Sequence, residues 1–139
     1  MSNSNSPGEE ANTKASLQDQ LDKLTRELAA QRLEQKRLTL CIDCATDHAI
    51  IQLDPENYIA SWNLGAERIF GYKAEEIIGK SGEIFFTPED VAAGQIAKEM
   101  ETAREQGRTD DERWHMRKDR TRFWGSGVMT PLVDDNHQL

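Results

Sequence analysis

The chain has 139 residues, 37% hydrophobic and 30% charged, which is enough for one domain with a single core and too little for two. Its 25 acidic residues against 17 Lys and Arg give a formal net charge of -8; long-range repulsion from phosphates excludes nucleic acid as a general partner. No run of about 18 apolar residues could span a membrane, and the start "MSNSNSPGEEANTK" lacks the basic head and apolar middle of a signal peptide, so the expected location is cytoplasmic.

Residues 1–16 combine Ser, Asn, Gly, Glu and Pro and are nearly free of apolar side chains, which predicts a disordered tail. From residue 17 the pattern changes. Leu17, Leu21, Leu24 and Leu28 follow spacings of four and three, and the register continues through Gln31 and Gln35 to Leu38, Ile42 and Ala45, predicting a helix over 17–45 with a narrow apolar seam. That seam packs either on the chain's own domain or on a second copy as a parallel coiled coil, making a homodimer. Cys41 and Cys44 form a C-x-x-C pair without further cysteines; they read as small packing residues, with a redox pair as the alternative.

After Ala45 the period shortens. "AIIQLD" and "YIASWN", separated by "PEN", predict an antiparallel hairpin. Asn63 is placed to cap a short helix "LGAERIF" that Gly71 closes, and "KAEEII" before Gly79 reads as a second short helix. In "TPED", Thr87 is an N-cap and Pro88 the first residue of a helix running through Ile96, Met100 and Ala103 to Gly107. Strands over 109–117 and 122–132 complete an α+β chain, with short helices on one face of an antiparallel sheet.

The segments "LDPENYIASWNLGAERIFGYKAEEIIGK", "FFTPED" and "ERWHMRKDRTRFWGSGVMTPLVDD" together resemble a PAS domain over 46–139. The resemblance implies a sensor or interaction module of the bacterial sensor-kinase type, often entered by a dimerising helix that carries signals. It also implies five strands, the last one central and beginning after "DDNHQL"; on that expectation the chain is C-terminally incomplete, with its effector domain absent. The family often pairs an acid on the second short helix with a Lys before the last hairpin turn, which here are Glu76 and Lys118; the pair is either a surface ion pair or a signalling hinge. The turn usually reads Lys-Asp-Gly, whereas this chain has Arg120 in place of the glycine.

Alternation settles the hairpin's register. A three-residue loop gathers Trp114, Met116, Trp124 and Val128 on one face and Arg113, His115, Phe123, Gly125, Gly127 and Met129 on the other; it separates apolar from mixed residues better than a two-residue loop does. The resemblance turns the second face toward the helices. The tryptophan face then needs a cover, and the candidate is the leucine-striped helix. On the inner face Gly125 and Gly127 leave room for a ligand pocket lined by Phe70, Ile78, Ile84, Arg113, His115, Phe123 and Met129, unless neighbouring side chains fill it.

Light-sensing flavin members of the family carry a reactive cysteine where this chain reads "GKSGEIFF", and their flavin contacts match His115, Gly125 and Gly127 here. Flavin photochemistry is therefore not expected, and haem is not expected unless His115 ligates it; the cofactor is unknown. No phosphate loop, H-E-x-x-H or Gly-x-Ser-x-Gly motif suggests an enzyme, and His48, His115 and His137 are scattered. Two readings follow: a sensory module relaying a cue through a dimeric helix, or a ligand-free dimerisation or protein-interaction module.

Overall fold

A computed structural model describes residues 7–133; the residues called a disordered tail fall partly outside this range, as does His137. The chain divides into two units, Met1–Cys41 and Ile42–Leu139. The first is the greater part of helix α1, Pro7–Asp43, so the helix starts at Pro7 rather than at Leu17. None of its residues is buried, and Leu17, Leu21, Leu24, Leu28 and Leu38 are all exposed. At 1.5 Å per residue it is about 55 Å long. Cys41 and Cys44 are also exposed, which corrects the expectation that they pack.

The second unit opens with the hairpin β1 (Ile51–Leu53) and β2 (Ile59–Trp62), paired antiparallel with Ile51 opposite Trp62 and a register shift between Gln52 and Leu53. The Asp54 carboxylate accepts from the backbone N–H groups of Glu56 and Tyr58 at 3.1 and 2.7 Å, the side-chain-to-backbone turn expected of Asp before a tight reversal. Helix α2 (Leu64–Phe70) is capped by Asn63, whose side chain accepts from the Ala66 N–H, and ends on Gly71 in the left-handed region. Helix α3 (Ala74–Ile77) follows. A 3-10 turn, Gly82–Phe85, which the sequence reading missed, comes next.

The single helix expected after Thr87 is two. Helix α4 (Pro88–Ala92) has Thr87 as N-cap and Pro in its first turn, and helix α5 (Gln95–Gln106) starts after Gly94 at φ 64°. A left-handed residue cannot continue a right-handed helix, so the break falls at the glycine. Strands β3 (Thr109–Met116) and β4 (Arg122–Met129) form the second hairpin. Its register pairs Trp114 with Trp124, His115 with Phe123 and Arg113 with Gly125, the arrangement expected from a three-residue loop.

The described strands make two separate two-stranded sheets, β1–β2 and β3–β4. The core is made of Ile59, Trp62, Ala66, Phe70, Ile77, Phe85, Phe86 and Ile96, drawn from β2, the helices and the 3-10 turn with its C-cap. The aromatic rings meet at tilted and edge-to-face angles, with Phe70 5.3 Å from Trp62, 5.4 Å from Phe85 and 5.3 Å from Phe123, distances favourable for ring quadrupoles. The Trp62 indole N–H donates to the Tyr72 carbonyl at 3.0 Å, so burial of the indole leaves no polar atom stranded.

Arg120 has φ 66°, in the region that disfavours a side chain. We expect Arg120→Gly to relieve about 1 kcal/mol of backbone strain and raise Tm by a few degrees in a thermal melt; an unchanged or lower Tm would show that the turn tolerates arginine without cost.

Candidate functional site

A cavity of about 890 Å³ lies in the second unit. All of β1 and the Gly125–Met129 stretch of β4 line it, and these two strands do not pair with each other. Its apolar wall is built from Phe70, Phe85 and Met100, with Phe123 at the hairpin. Of the residues proposed from sequence, Phe70, His115, Phe123 and Met129 line this space, whereas Ile78, Ile84 and Arg113 do not.

Each departure has a physical reason. Helix α3 turns Ile77 into the core, fully buried, and leaves Ile78 49% exposed as its C-cap; Ile78 leaves the helix with ψ 133°, so its side chain does not follow Ile77 onto the buried face. Ile84 packs against the core from the 3-10 turn instead of facing the cavity. Arg113 is held by acids: its guanidinium contacts Glu99 and Asp111 and lies 3.5 Å from Asp90. Three carboxylates from two helices and one strand thus converge on one arginine.

The two glycines of the inner face behave differently. A Cβ on Gly125 would lie 2.7 Å from the His115 ring, so the histidine, rather than empty space, occupies the room left by that glycine. A Cβ on Gly127 would meet only the Asp111 carbonyl oxygen, at 3.8 Å, and the cavity begins there. His115 is buried and engaged at both ring nitrogens, Nδ1 with the Phe85 carbonyl at 3.2 Å and Nε2 with the Asp111 carboxylate at 3.2 Å. It offers no free nitrogen to a haem iron. Among the described residues there is no cluster of three His, Cys, Asp or Glu side chains fit to hold a metal.

The acids around Arg113 differ in character. Burial pushes the Asp111 carboxyl up, but hydrogen bonds from His115 and Arg113 outweigh it and hold the group below its usual range. Glu99 moves the other way: burial raises it first and the Asp111 charge next, and Arg113 does not compensate. One Glu99 carboxylate oxygen is buried without a hydrogen-bond partner, which accounts for the penalty on its ionised form.

At the far end of the hairpin, Lys118 pairs with Glu76, as the resemblance implied. Hydrogen bonding by Lys118, and then by the Lys73 N–H, holds the Glu76 carboxyl low. The same turn is docked through its backbone. The Lys118 N–H donates to the Phe70 carbonyl at 2.8 Å, and the Arg117 Nε to the Ile69 carbonyl at 2.8 Å. On the outer face Trp114 and Trp124 stand edge to face at 5.8 Å, half exposed, beside exposed Val128 and half-buried Met116.

Sequence reasoning missed the Asp111–Arg113–Glu99–Asp90 group because only folding brings α4, α5 and β3 together. The alternation that placed Arg113 on the inner face also placed Asp111 there, and that was the available signal. Because its folded-state value is raised, Glu99 favours the fold below its unfolded carboxyl range, and that contribution is lost as pH rises through the raised value. In thermal melts from about pH 4 to 7.5, wild type should therefore lose stability relative to Glu99→Gln as pH rises; parallel profiles would show that Glu99 does not titrate differently in the fold.

A profile of the PAS domain family matches residues 47–139. The chain is 43% identical over 93 residues to Two-component system protein A of Emericella nidulans, a match covering 67% of this chain and 14% of that protein's length. The PAS domain of a protein from Colwellia psychrerythraea superposes with a TM-score of 0.68 at 25% identity, over 76% of this chain and 87% of that one. An RNA-binding light-oxygen-voltage receptor shares the fold, with a TM-score of 0.61 at 21% identity over 78% of this chain and 31% of its own. No helix among the described residues is long and apolar enough to cross a membrane. Its hairpins, short helices and matched residues together show that the chain belongs to the PAS domain family.

Proposed function

We propose that the chain is a sensory PAS module of a signal-transduction protein, in which a small molecule in the cavity is sensed and the change is relayed through a dimeric α1 to an effector outside these residues. The observation that carries this reading is the cavity itself: about 890 Å³ lies within the range of roughly 300–1,000 Å³ for small-molecule sites, and its inner wall is aromatic. The likeness to a two-component system protein supports a signalling context. A cytoplasmic site of action belongs to the same proposal, as does a role without catalysis.

For dimerisation, the support is the row of exposed leucines on α1 at heptad spacing. Sustained stripes of this kind on a polar helix gain little in isolation and are stabilised by a partner helix. The second reading, a ligand-free interaction module, is favoured by the exposed Trp114–Trp124 pair, an apolar surface of the kind that marks contact sites. Glu76 and Lys118 are the proposed hinge in either case.

Native mass spectrometry with an absorption spectrum distinguishes the two. Extra mass retained on the folded protein supports the sensor, and an empty protein that still dimerises supports the interaction module. Light scattering tests the helix: replacing Leu21 and Leu28 together by Glu should convert a dimer into a monomer while the PAS unit keeps its melting profile. A double variant as dimeric as wild type would remove α1 from the interface.

A further inference from the structure

The buried Asn63 side chain does more than cap a helix. Its carboxamide oxygen accepts from the Ala66 N–H at 2.9 Å, which caps α2, and from the Ile50 N–H at 2.9 Å. Its Nδ2 faces three backbone carbonyl oxygens, those of Ile42 at 3.2 Å, Ala45 at 3.4 Å and His48 at 3.0 Å. Two amide hydrogens are shared among three acceptors, so one side chain gathers the whole segment Ile42–Ile50. This strap begins with the last two residues of α1 and ends next to β1.

Two further observations define the strap. Ala45, Asp47, His48, Ala49 and Ile50 are part of the cavity wall. The strap also lies directly on the first turn of α2: a Cβ on Gly65 would overlap the His48 carbonyl oxygen and sit 2.6 Å from that of Ala45. Inside the strap the backbone closes on itself, with the Ala45 N–H donating to Ile42 and the His48 N–H to Ala45, both at 3.2 Å. The Asn63 amide holds the same Ile42 and Ala45 carbonyls that accept these bonds, so releasing it also loosens the turns inside the strap.

We propose that this strap, latched by the donating half of the Asn63 amide, is the element through which occupancy of the cavity reaches the end of α1. The proposal rests on the reading in which the cavity takes a small molecule and α1 carries the output. One side of the strap is cavity wall, and its start is continuous with the helix. The accepting half of Asn63 keeps α2 capped whether or not the donating half holds the three carbonyls, so the latch can open without undoing the core. An occupant that displaces the wall lengthens the Nδ2 bonds and frees the strap, which gives the coupling a defined two-state element.

The test is hydrogen exchange on the full chain. Asn63→Asp keeps an acceptor for the Ala66 and Ile50 N–H groups, removes the donor and sets a carboxylate against three carbonyls. Gly65→Ala leaves Asn63 intact and pushes the strap from the α2 side. In both variants the amides of Ala45, Thr46 and His48 should exchange at least about tenfold faster while those of the β3–β4 hairpin keep their protection. Unchanged strap exchange in both variants overturns the proposal. Loss of the whole fold in both also overturns it, since the strap would then be core and not a latch.

Anilinonaphthalene sulfonate serves as the cavity probe on wild type. Binding with faster strap exchange supports the coupling, and binding that leaves the strap unchanged overturns it. A probe that does not bind removes the ligand reading and the coupling that rests on it, while the variants still show whether the latch exists.

Discussion

The two hairpins of the PAS unit share no strand pairing among the described residues, so what joins them is an aromatic cluster, and at its centre is the ring of Phe70. It touches Trp62 from the first sheet, Phe85 from the 3-10 turn, and both Phe123 and His115 from the second sheet, at centroid distances of 5.3 to 6.0 Å. Such contacts are non-directional in their main term, the removal of apolar surface from water, and each ring pair contributes only about 0.5–1.5 kcal/mol more. Position therefore has to come from elsewhere. It comes from the end of α2, where the Ile69 and Phe70 carbonyls accept from Arg117 and Lys118. These are carbonyls a helix C-terminus leaves free, and the hairpin turn uses them as its docking points. Gly71 makes this possible by ending the helix there in the left-handed region.

The middle of β3 is fixed by charge. Arg113 contacts Glu99 of α5 and Asp111 of its own strand, with Asp90 of α4 at 3.5 Å. Removing such charges from water costs several kcal/mol per ion unless partners are well placed, and the unpartnered Glu99 oxygen shows that the group is not fully matched. What the cluster supplies is specificity: three elements must arrive together for the arginine to be satisfied, which sets α4 and α5 against β3. His115 extends it, bonding Asp111 on one side and the Phe85 carbonyl on the other. The polar groups on the inner face of β3 are thus committed to structure, even where His115 and Asp111 border the cavity beside β1, β4 and the strap.

Local chemistry was legible in the sequence where one residue's physics decides the outcome. Asn63 and Thr87 read as N-caps because their side chains satisfy free helix N–H groups, and Arg120 read as strained because its turn position calls for positive φ. The hairpin register followed from alternation, since a one-residue slip would mix tryptophans with charges. Where two local solutions compete, the sequence was silent. Ile77 and Ile78 are equally apolar, and only the packing of α3 on β2 buries the first. Gly94 stands in "VAAGQIA" with no proline beside it, so nothing local distinguishes a tolerated helical glycine from a break. The cavity lining failed for a third reason: β1 and the strap reach it from a stretch of chain far from the hairpin, and a single sequence carries no signal of that approach.

Asn63 shows how much one correct local reading can leave out. Ser, Thr and Asp cap helices about as well as Asn, so the capping role alone does not explain the amide. Of these four, only Asn carries both an acceptor and two donors on one planar group. The acceptor is used on α2 and on Ile50 just before β1, where any of the four could serve in part; the donors are used on Ile42, Ala45 and His48, where only an amide can. The choice of residue is therefore set by the strap and not by the helix it caps. Gly65 is tied to the same constraint from the other side, since any larger residue would push the strap away. A capping motif and a helical glycine, each ordinary alone, together specify how closely the chain leaving α1 is held against the PAS core.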